Sequence, residues 1–408
     1  MRIFYTIGIW FYTLGIRLAS LFGHRKARLM VKGWKREQWP TINGPWDKVA
    51  WFHAASLGEF EQARPVLEEY KRRHPDIHIV VSFFSPSGYE VRKNYAQADA
   101  VLYLPPDLPG SVRRFLDTWR PTVAFFVKYE FWFNYLGALQ RRGIPTYLFS
   151  AIFRPGQYFF KPWGCWARKQ LQRCYTHIFV QNDESLSLLK NNGIERCSRA
   201  GDTRFDRVHQ IAEAGESNEV VERWLDGHNG KVLVCGSTWP PDEELIANVI
   251  DEDKALKVIL APHVISEEHL KQIEGLFPDS IRYSRFTSNP SKCRILIIDN
   301  IGLLSKLYRY ADVAYIGGGF GVGIHNILEA VTFGKPVLFG PNHQKFQEAR
   351  DIIVRGGGLS QSNANSLSLN LKPLLNNADA YRCASEACKA YMQENLGSTN
   401  KILGIIEK

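Results

Sequence analysis

Two acids in the first half of the chain follow apolar runs, where a strand would give way to a helix. SLGEF (56–60) places Glu59 just beyond a glycine turn after VAWFH (49–53), and KYEFWFN (128–134) places Glu130 after TVAFFV (122–127). A carboxylate at a helix start serves as a general base if it is desolvated enough to hold a proton near neutrality. The plainer alternative is a solvated first-turn acid stabilised by the helix dipole. Ser56 and Gly58 share the first of these turns and Trp132 the second. FSPSG (84–88) adds a third turn with Ser87, AIFRPGQ (151–157) offers Arg154, and GDTRFDRV (201–208) carries Arg204. Aromatics and Arg/Lys around an acid suit a polyanionic, partly greasy acceptor.

The second half carries phosphate-holding chemistry. GGGFGVGIHNILEA (317–330) runs through Gly317, Gly318, Gly319, Gly321 and Gly323 into a helix expected from about Ile324. Glycines let a backbone approach a ligand, and a helix amino terminus offers free N–H donors. GK[ST] is absent and GxGxxG is not strict, so this is not a P-loop or a dinucleotide fingerprint. His325 and Asn326 are expected to face the ligand from the first helical turn. Glu329, one turn on, is expected to take ribose hydroxyls. GSTWPPDEE (236–244) sets Ser237 and Thr238 at a strand end, as phosphate donors or simple caps. APH (261–263) sets Pro262 and His263 at another, and DNIGLL (299–304) sets Ile301, Gly302 and Leu303 at a third. GPNHQKFQEA (340–349) supplies a further turn and helix start. Ligand-type loops at several strand ends of one domain say more than any single loop.

The elements that must hold these loops repeat a β–helix alternation. Strand candidates in the first half are 49–53, 77–84, 100–104, 122–127, 145–150 and 177–181; in the second, 231–236, 255–261, 293–299, 312–318 and 335–340. Helical stretches such as 59–73 lie between, and two or three helices close the chain after Asn363. A polar stretch at about 208–230 reads as a linker. This pattern is α/β: two doubly wound, Rossmann-like units, with ligand in the crevice between them at the carboxyl ends of strands. The 408 residues suit two domains, and the apolar share of 45% excludes disordered, collagenous and polytopic membrane classes.

Charge is uneven. Residues 1–207 hold 31 basic and 17 acidic residues, a net of +14, whereas the remainder nets −4. An anionic partner for the first half follows. Nucleic acid is not that partner, because the basic residues are dispersed and no nucleic-acid motif occurs. The seven cysteines show no CxxC and no zinc spacing, which reads as free thiols in a reducing compartment. Residues 3–16 carry no charge and are rich in Ile, Phe, Tyr, Trp and Leu. After Arg17 come Arg25, Lys26, Arg28, Lys32, Lys35 and Arg36. This is the pattern of an aromatic-rich anchor helix (1–24) seated on anionic lipid at the cytoplasmic face, with a buried helix as the alternative.

Taken together, HAASLGE, PSG, KYEFW, GDTRFD, GSTW and GIHNILEA, in this order and spacing, resemble the 3-deoxy-D-manno-octulosonate (Kdo) transferases of lipopolysaccharide synthesis. The resemblance implies a GT-B glycosyltransferase with an acceptor domain (25–207), a CMP-Kdo donor domain (208–390) and a last helix (391–408) returning to the first. It implies inverting transfer of Kdo from CMP-Kdo to a lipid A precursor, lipid IVA, at the inner membrane, without metal or cofactor. By the same resemblance Glu59 matches the general base, and Glu130 and Arg204 match positions near the catalytic cleft. The family commonly has Lys where Arg204 stands; Arg clamps an anion better than it donates a proton. Pro262 and His263, Ile301 to Leu303, and Asn326, Ile327, Leu328 and Glu329 match CMP contacts. The usual PRH triplet is APH here, and Ile324 replaces a glycine. The readings to set against this are another GT-B enzyme, a UDP-sugar transferase or epimerase, and a non-enzymatic membrane-bound nucleotide-sugar sensor.

Overall fold

β-Branched and aromatic runs form the strands, and their near-continuous burial marks sheets covered on both faces. The computed structural model describes residues 1–35, 39–40, 46–250, 253–286 and 293–408. Arg36, part of the basic run, lies outside the described residues. The chain divides into two units, Met1–Arg207 with Leu396–Lys408, and Val208–Asn395.

Among the described residues the first unit contains a seven-stranded sheet: β1 Val49–Ala54, β2 His78–Phe83, β3 Ala100–Tyr103, β4 Val123–Val127, β5 Thr146–Ala151, β6 His177–Val180 and β7 Cys197–Arg199. Its order is β3-β2-β1-β4-β5-β6-β7, parallel throughout. The strand order reverses at β1 and β4, so loops leaving those two strands diverge and open a crevice at their carboxyl ends. The helix Ser398–Ile406 adds Ile402 and Leu403 to the core cluster that also buries Phe60, Val66 and Leu67 of the helix Leu57–Arg73. The second unit repeats the plan with β8 Val232–Thr238, β9 Lys257–Pro262, β10 Ser280–Arg282, β11 Ile295–Ile297, β12 Val313–Ile316, β13 Val337–Phe339 and β14 Gly358–Ser360. The order β10-β11-β9-β8-β12-β13-β14 reverses at β8 and β12.

Two expectations need correction. The stretch 208–230 is not a linker: it folds into most of the helix Thr203–Glu213 and all of Glu219–Leu225. Val221 and Trp224, three apart, bury one face of the latter, and the Trp224 indole N–H donates to the Cys293 carbonyl at 3.1 Å. The glycine-rich loop does not enter a helix at Ile324. Residues 324–327 stay unwound, and only one turn, Leu328–Val331, follows before Gly334 at φ +67° ends it.

The amino-terminal helix Arg2–Leu21 lies against the first unit on one side only. Tyr5 Oη donates to Asp107 at 2.7 Å, Arg2 Nε to Asn134 at 3.1 Å, and Tyr12 stacks on Phe84. Its other side exposes Ile3, Phe4, Ile7, Trp10, Phe11 and Leu14. All seven cysteines are free thiols.

Candidate active site

In the first unit the site grows from the two strands at which the order reverses. β1 ends at Ala54, and Ser56 caps the helix Leu57–Arg73 from an extended backbone. Glu59, the third helical residue, turns its carboxylate back. Its Oε2 accepts from the amides of Ala55 at 2.7 Å and Ser56 at 3.2 Å, the acidic half of a capping box. Glu59 Oε1 has no hydrogen-bond partner among the described residues. Burial first, and the Glu130 carboxylate second, push the Glu59 carboxyl above its ordinary range; the Ala55 amide, His53 and Lys128 pull the other way. Glu59 is therefore not the plain solvated first-turn acid.

Glu130 is buried in the middle of the loop leaving β4. Its Oε2 meets His53 Nε2 at 2.9 Å and accepts from the Trp132 indole N–H. His53, fully buried near the end of β1, meets Ser82 Oγ through Nδ1 at 2.9 Å. His53 was not among the expected site residues, because it sits inside an apolar strand where a histidine reads as core. The signal was its place one residue before the β1 terminus. Lys128 starts this loop in the left-handed region, φ +63°, and donates its amide to the Phe149 carbonyl at 2.9 Å.

The remaining expected acceptor residues surround this pair to different degrees. Ser87 opens the helix Pro86–Arg92, its hydroxyl 3.0 Å from Ser85 Oγ, and Ser85 N–H bonds the Ala55 carbonyl at 2.8 Å, tying that loop to the Glu59 turn. Trp132 packs on Phe84, which in turn meets Tyr12 of the amino-terminal helix. A Cβ at Gly58 would meet nothing within 4 Å, so no internal contact requires glycine there. Arg154 is exposed, and its positive charge acts on the Tyr129 hydroxyl. Arg204 opens the helix Thr203–Glu213 and pairs through Nη2 with Asp202 at 2.7 Å; Asp202 also accepts from Gln62, one turn beyond Glu59.

The second unit builds its site at β8 and β12. Ser237 adopts φ +54°. Thr238, expected as a phosphate donor, is buried, and its hydroxyl is committed to Glu243 Oε1 at 2.9 Å. Behind the loop, buried Asp242 accepts from the Trp239 and Gly318 amides, at 3.0 and 2.9 Å, and from Tyr315 Oη at 2.9 Å. From its place in the first turn of a helix this acid would pass for a dipole partner. It instead pins the glycine loop at Gly318, φ +89°. A Cβ on Gly317 would come within 2.3 Å of the Ser237 carbonyl, and one on Gly319 within 2.5 Å of Gly340. These glycines are required by backbone packed on backbone.

Trp239, His263 and His325 stack in a row, with centroids 4.7 and 4.4 Å apart. Burial and then His263 pull the His325 imidazole down to about 4, so it is neutral near pH 7 and its Nε2 accepts from the Trp239 indole at 3.3 Å. Pro262 ends β9 beside Thr238. His325 and Asn326 lie in the unwound segment, not in a helical turn, because His325 N–H returns to the Gly317 carbonyl at 3.1 Å. Asn326 Oδ1 accepts from the Leu328 amide at 3.2 Å, and its Nδ2 donates to Glu329 Oε1 at 3.2 Å. Ile327 and Leu328 are buried, which leaves only their backbone to meet a ligand. Ile301 and Gly302, at φ +96°, project from the loop after β11, with Leu303 half-buried behind them.

Residues 24–207 match the family model described as 3-deoxy-D-manno-octulosonic-acid transferase (kdotransferase). The chain is 29% identical over 332 residues to the 3-deoxy-D-manno-octulosonic acid transferase of Aquifex aeolicus, covering 80% of this chain and 85% of that protein. It is 26% identical to that of Bordetella pertussis over 375 residues, 88% of this chain and 86% of the other. Among solved structures, UDP-GlcNAc 2-epimerase from Neisseria meningitidis bound to UDP-GlcNAc superposes with a TM-score of 0.62 at 16% identity, covering 88% of this chain and all of that one. MurG of Acinetobacter baumannii gives 0.55 at 13%, covering 88% and 98%. At such identities the structural likeness concerns the fold alone, the GT-B type with two Rossmann-like units.

Proposed function

We propose, from its similarity to the Kdo transferases, that this chain transfers Kdo from CMP-Kdo to a lipid A precursor, lipid IVA, in an inverting, metal-independent displacement. The observation that carries the reading is Glu59: a carboxylate at the strand-order reversal of the first unit, raised by burial and by Glu130, with one oxygen uncommitted. Such a group takes the proton from an acceptor hydroxyl as that oxygen attacks the anomeric carbon of Kdo. The bond from that carbon to the CMP phosphate oxygen breaks, and CMP departs with its electron pair. The charge that develops there meets preset amides of the glycine loop and the Ser237 hydroxyl. Neutral His325 fits a site that recognises its ligand by stacking and hydrogen bonding.

Glu130, held by His53 and Trp132, keeps a second negative charge beside the base, and Arg204 and Arg154 clamp acceptor anions. In the second unit, His263, Gly302, Asn326 and Glu329 bind the nucleotide, the last through ribose hydroxyls. The amino-terminal helix seats the first unit on the cytoplasmic face of the inner membrane. With Tyr5, Thr6 and Arg2 tied to Asp107 and Asn134, its apolar face is the one left to meet lipid, so it lies in the interface. The base assignment is tested by Glu59→Ala. Turnover of CMP-Kdo with lipid IVA is expected to fall by about 10²- to 10⁴-fold, and near-wild-type turnover would remove Glu59 from the mechanism.

A further inference from the structure

Beside the first turn of the amino-terminal helix lies a hollow of 330 Å³ lined by Arg2, Arg113, Asn134, Arg141 and Arg142, with Gly110 at its edge. Its lining includes neither Glu59, Glu130 nor Trp132, so it is separate from the active site. That volume lies at the low end for small-molecule sites. Four arginines line it. Arg2 is aimed by its bond to Asn134, a fully buried amide itself held by Thr6 Oγ1 at 3.1 Å and the Asp107 carbonyl. Arg142 pairs with the exposed Asp117 at 2.6 Å. Among the described residues no acid pairs with Arg113 or Arg141.

The other carboxylate nearby, Asp107, is already satisfied by Tyr5 Oη and the amides of Asn134 and Tyr135. Gly110 belongs to the first turn of the helix Pro109–Trp119, which has no side-chain cap, so its amide adds a free donor. Burial, then Arg2 and Arg142, already make the Arg141 cation less favourable than in water. An excess of like charge gathered in one hollow is stabilised by an anion.

We propose that this hollow binds the phosphate of an anionic membrane lipid headgroup, a glycerophosphate, while the adjoining face of the helix Arg2–Leu21 meets the acyl chains. The position argues for this source. Arg2 is the first residue of the same helix that exposes Ile3, Phe4 and Ile7, so a headgroup in the hollow has its chains alongside apolar surface. This rests on the membrane-seating reading above, and the test separates the two.

Vesicles of phosphatidylcholine alone, and with 30% phosphatidylglycerol, are co-sedimented with the full chain, with R113Q/R141Q, and with R72Q/R199Q, which removes two surface charges elsewhere in the same unit. Soluble glycerol 3-phosphate is titrated in parallel by thermal shift. The wild type is expected to prefer the anionic vesicles. R113Q/R141Q loses about 30-fold of that preference while keeping its binding to neutral vesicles, and R72Q/R199Q stays close to wild type. An undiminished preference in R113Q/R141Q, or an equal loss in R72Q/R199Q, overturns the proposal. If the wild type binds no vesicle but shows an Arg113/Arg141-dependent shift with glycerol 3-phosphate, the hollow is a site for a soluble phosphate ester. The lipid source and the membrane reading then both fall. Absence of both signals overturns the hollow as an anion site.

Discussion

At the scale of single residues, the proposal gives Glu59 two tasks on one side chain: Oε2 accepts the capping-box amides, and Oε1 is the oxygen proposed to take the acceptor proton. Glutamine at this position keeps a capping partner, so Glu59→Gln is expected to retain the melting temperature while losing turnover, which separates a chemical defect from a folding one. Its pH behaviour follows from its surroundings. A base must be deprotonated, so turnover falls as pH drops through the raised pKa of Glu59, and this acidic limb lies above that of an ordinary glutamate. The Glu130 charge is one of the two causes of that rise. Glu130→Gln removes it, so the acidic limb of kcat against pH is expected to move to lower pH; an unmoved limb would mean that another group titrates there.

At the scale of elements, the glycine loop after β12 and the amino-terminal helix each rest on a buried carboxylate. Asp242 fixes Gly318 in the left-handed region, and a Cβ on Gly318 would stand 2.5 Å from the Gly323 carbonyl oxygen. Gly318→Ala combines that clash with a strained backbone, about 1–3 kcal/mol. CMP affinity is expected to fall about tenfold or more by calorimetry, with the first unit unaffected. Asp107 plays the matching part for the amino-terminal helix. Tyr5→Phe leaves this buried acid one donor short, a cost of about 1–3 kcal/mol, and is expected to lower the melting temperature of the full chain in detergent. An unchanged melting temperature would mean that the helix is not docked through Tyr5.

At the scale of the whole molecule, long strands rich in Val, Ile and Phe were legible because burial on both faces leaves continuous apolar runs. Three-residue strands such as Cys197–Arg199 and Gly358–Ser360 are too short to leave a pattern. The stretch 208–230 misled because its solvent face outnumbers the few residues, Val221 and Trp224 among them, that bury it. The acids and glycines of the site were legible as loop chemistry at strand ends. His53 and Asp242 were not, since a buried side chain that orients another looks in sequence like core or like a helix-start acid. Thr238 failed for the opposite reason: its type suits a phosphate, and only its burial shows that Glu243 holds it.

The central claim is that two Rossmann-like units, one presenting a desolvated base and one a glycine loop with a stacked Trp–His–His row, transfer Kdo to a lipid. It is tested most directly by incubating the full chain with CMP-Kdo and a defined tetra-acyl lipid IVA and reading the lipid by mass spectrometry. The account predicts lipid heavier by one or more Kdo residues, with CMP released in equal number. Unmodified lipid from folded protein, or turnover of a UDP-sugar instead, would contradict it.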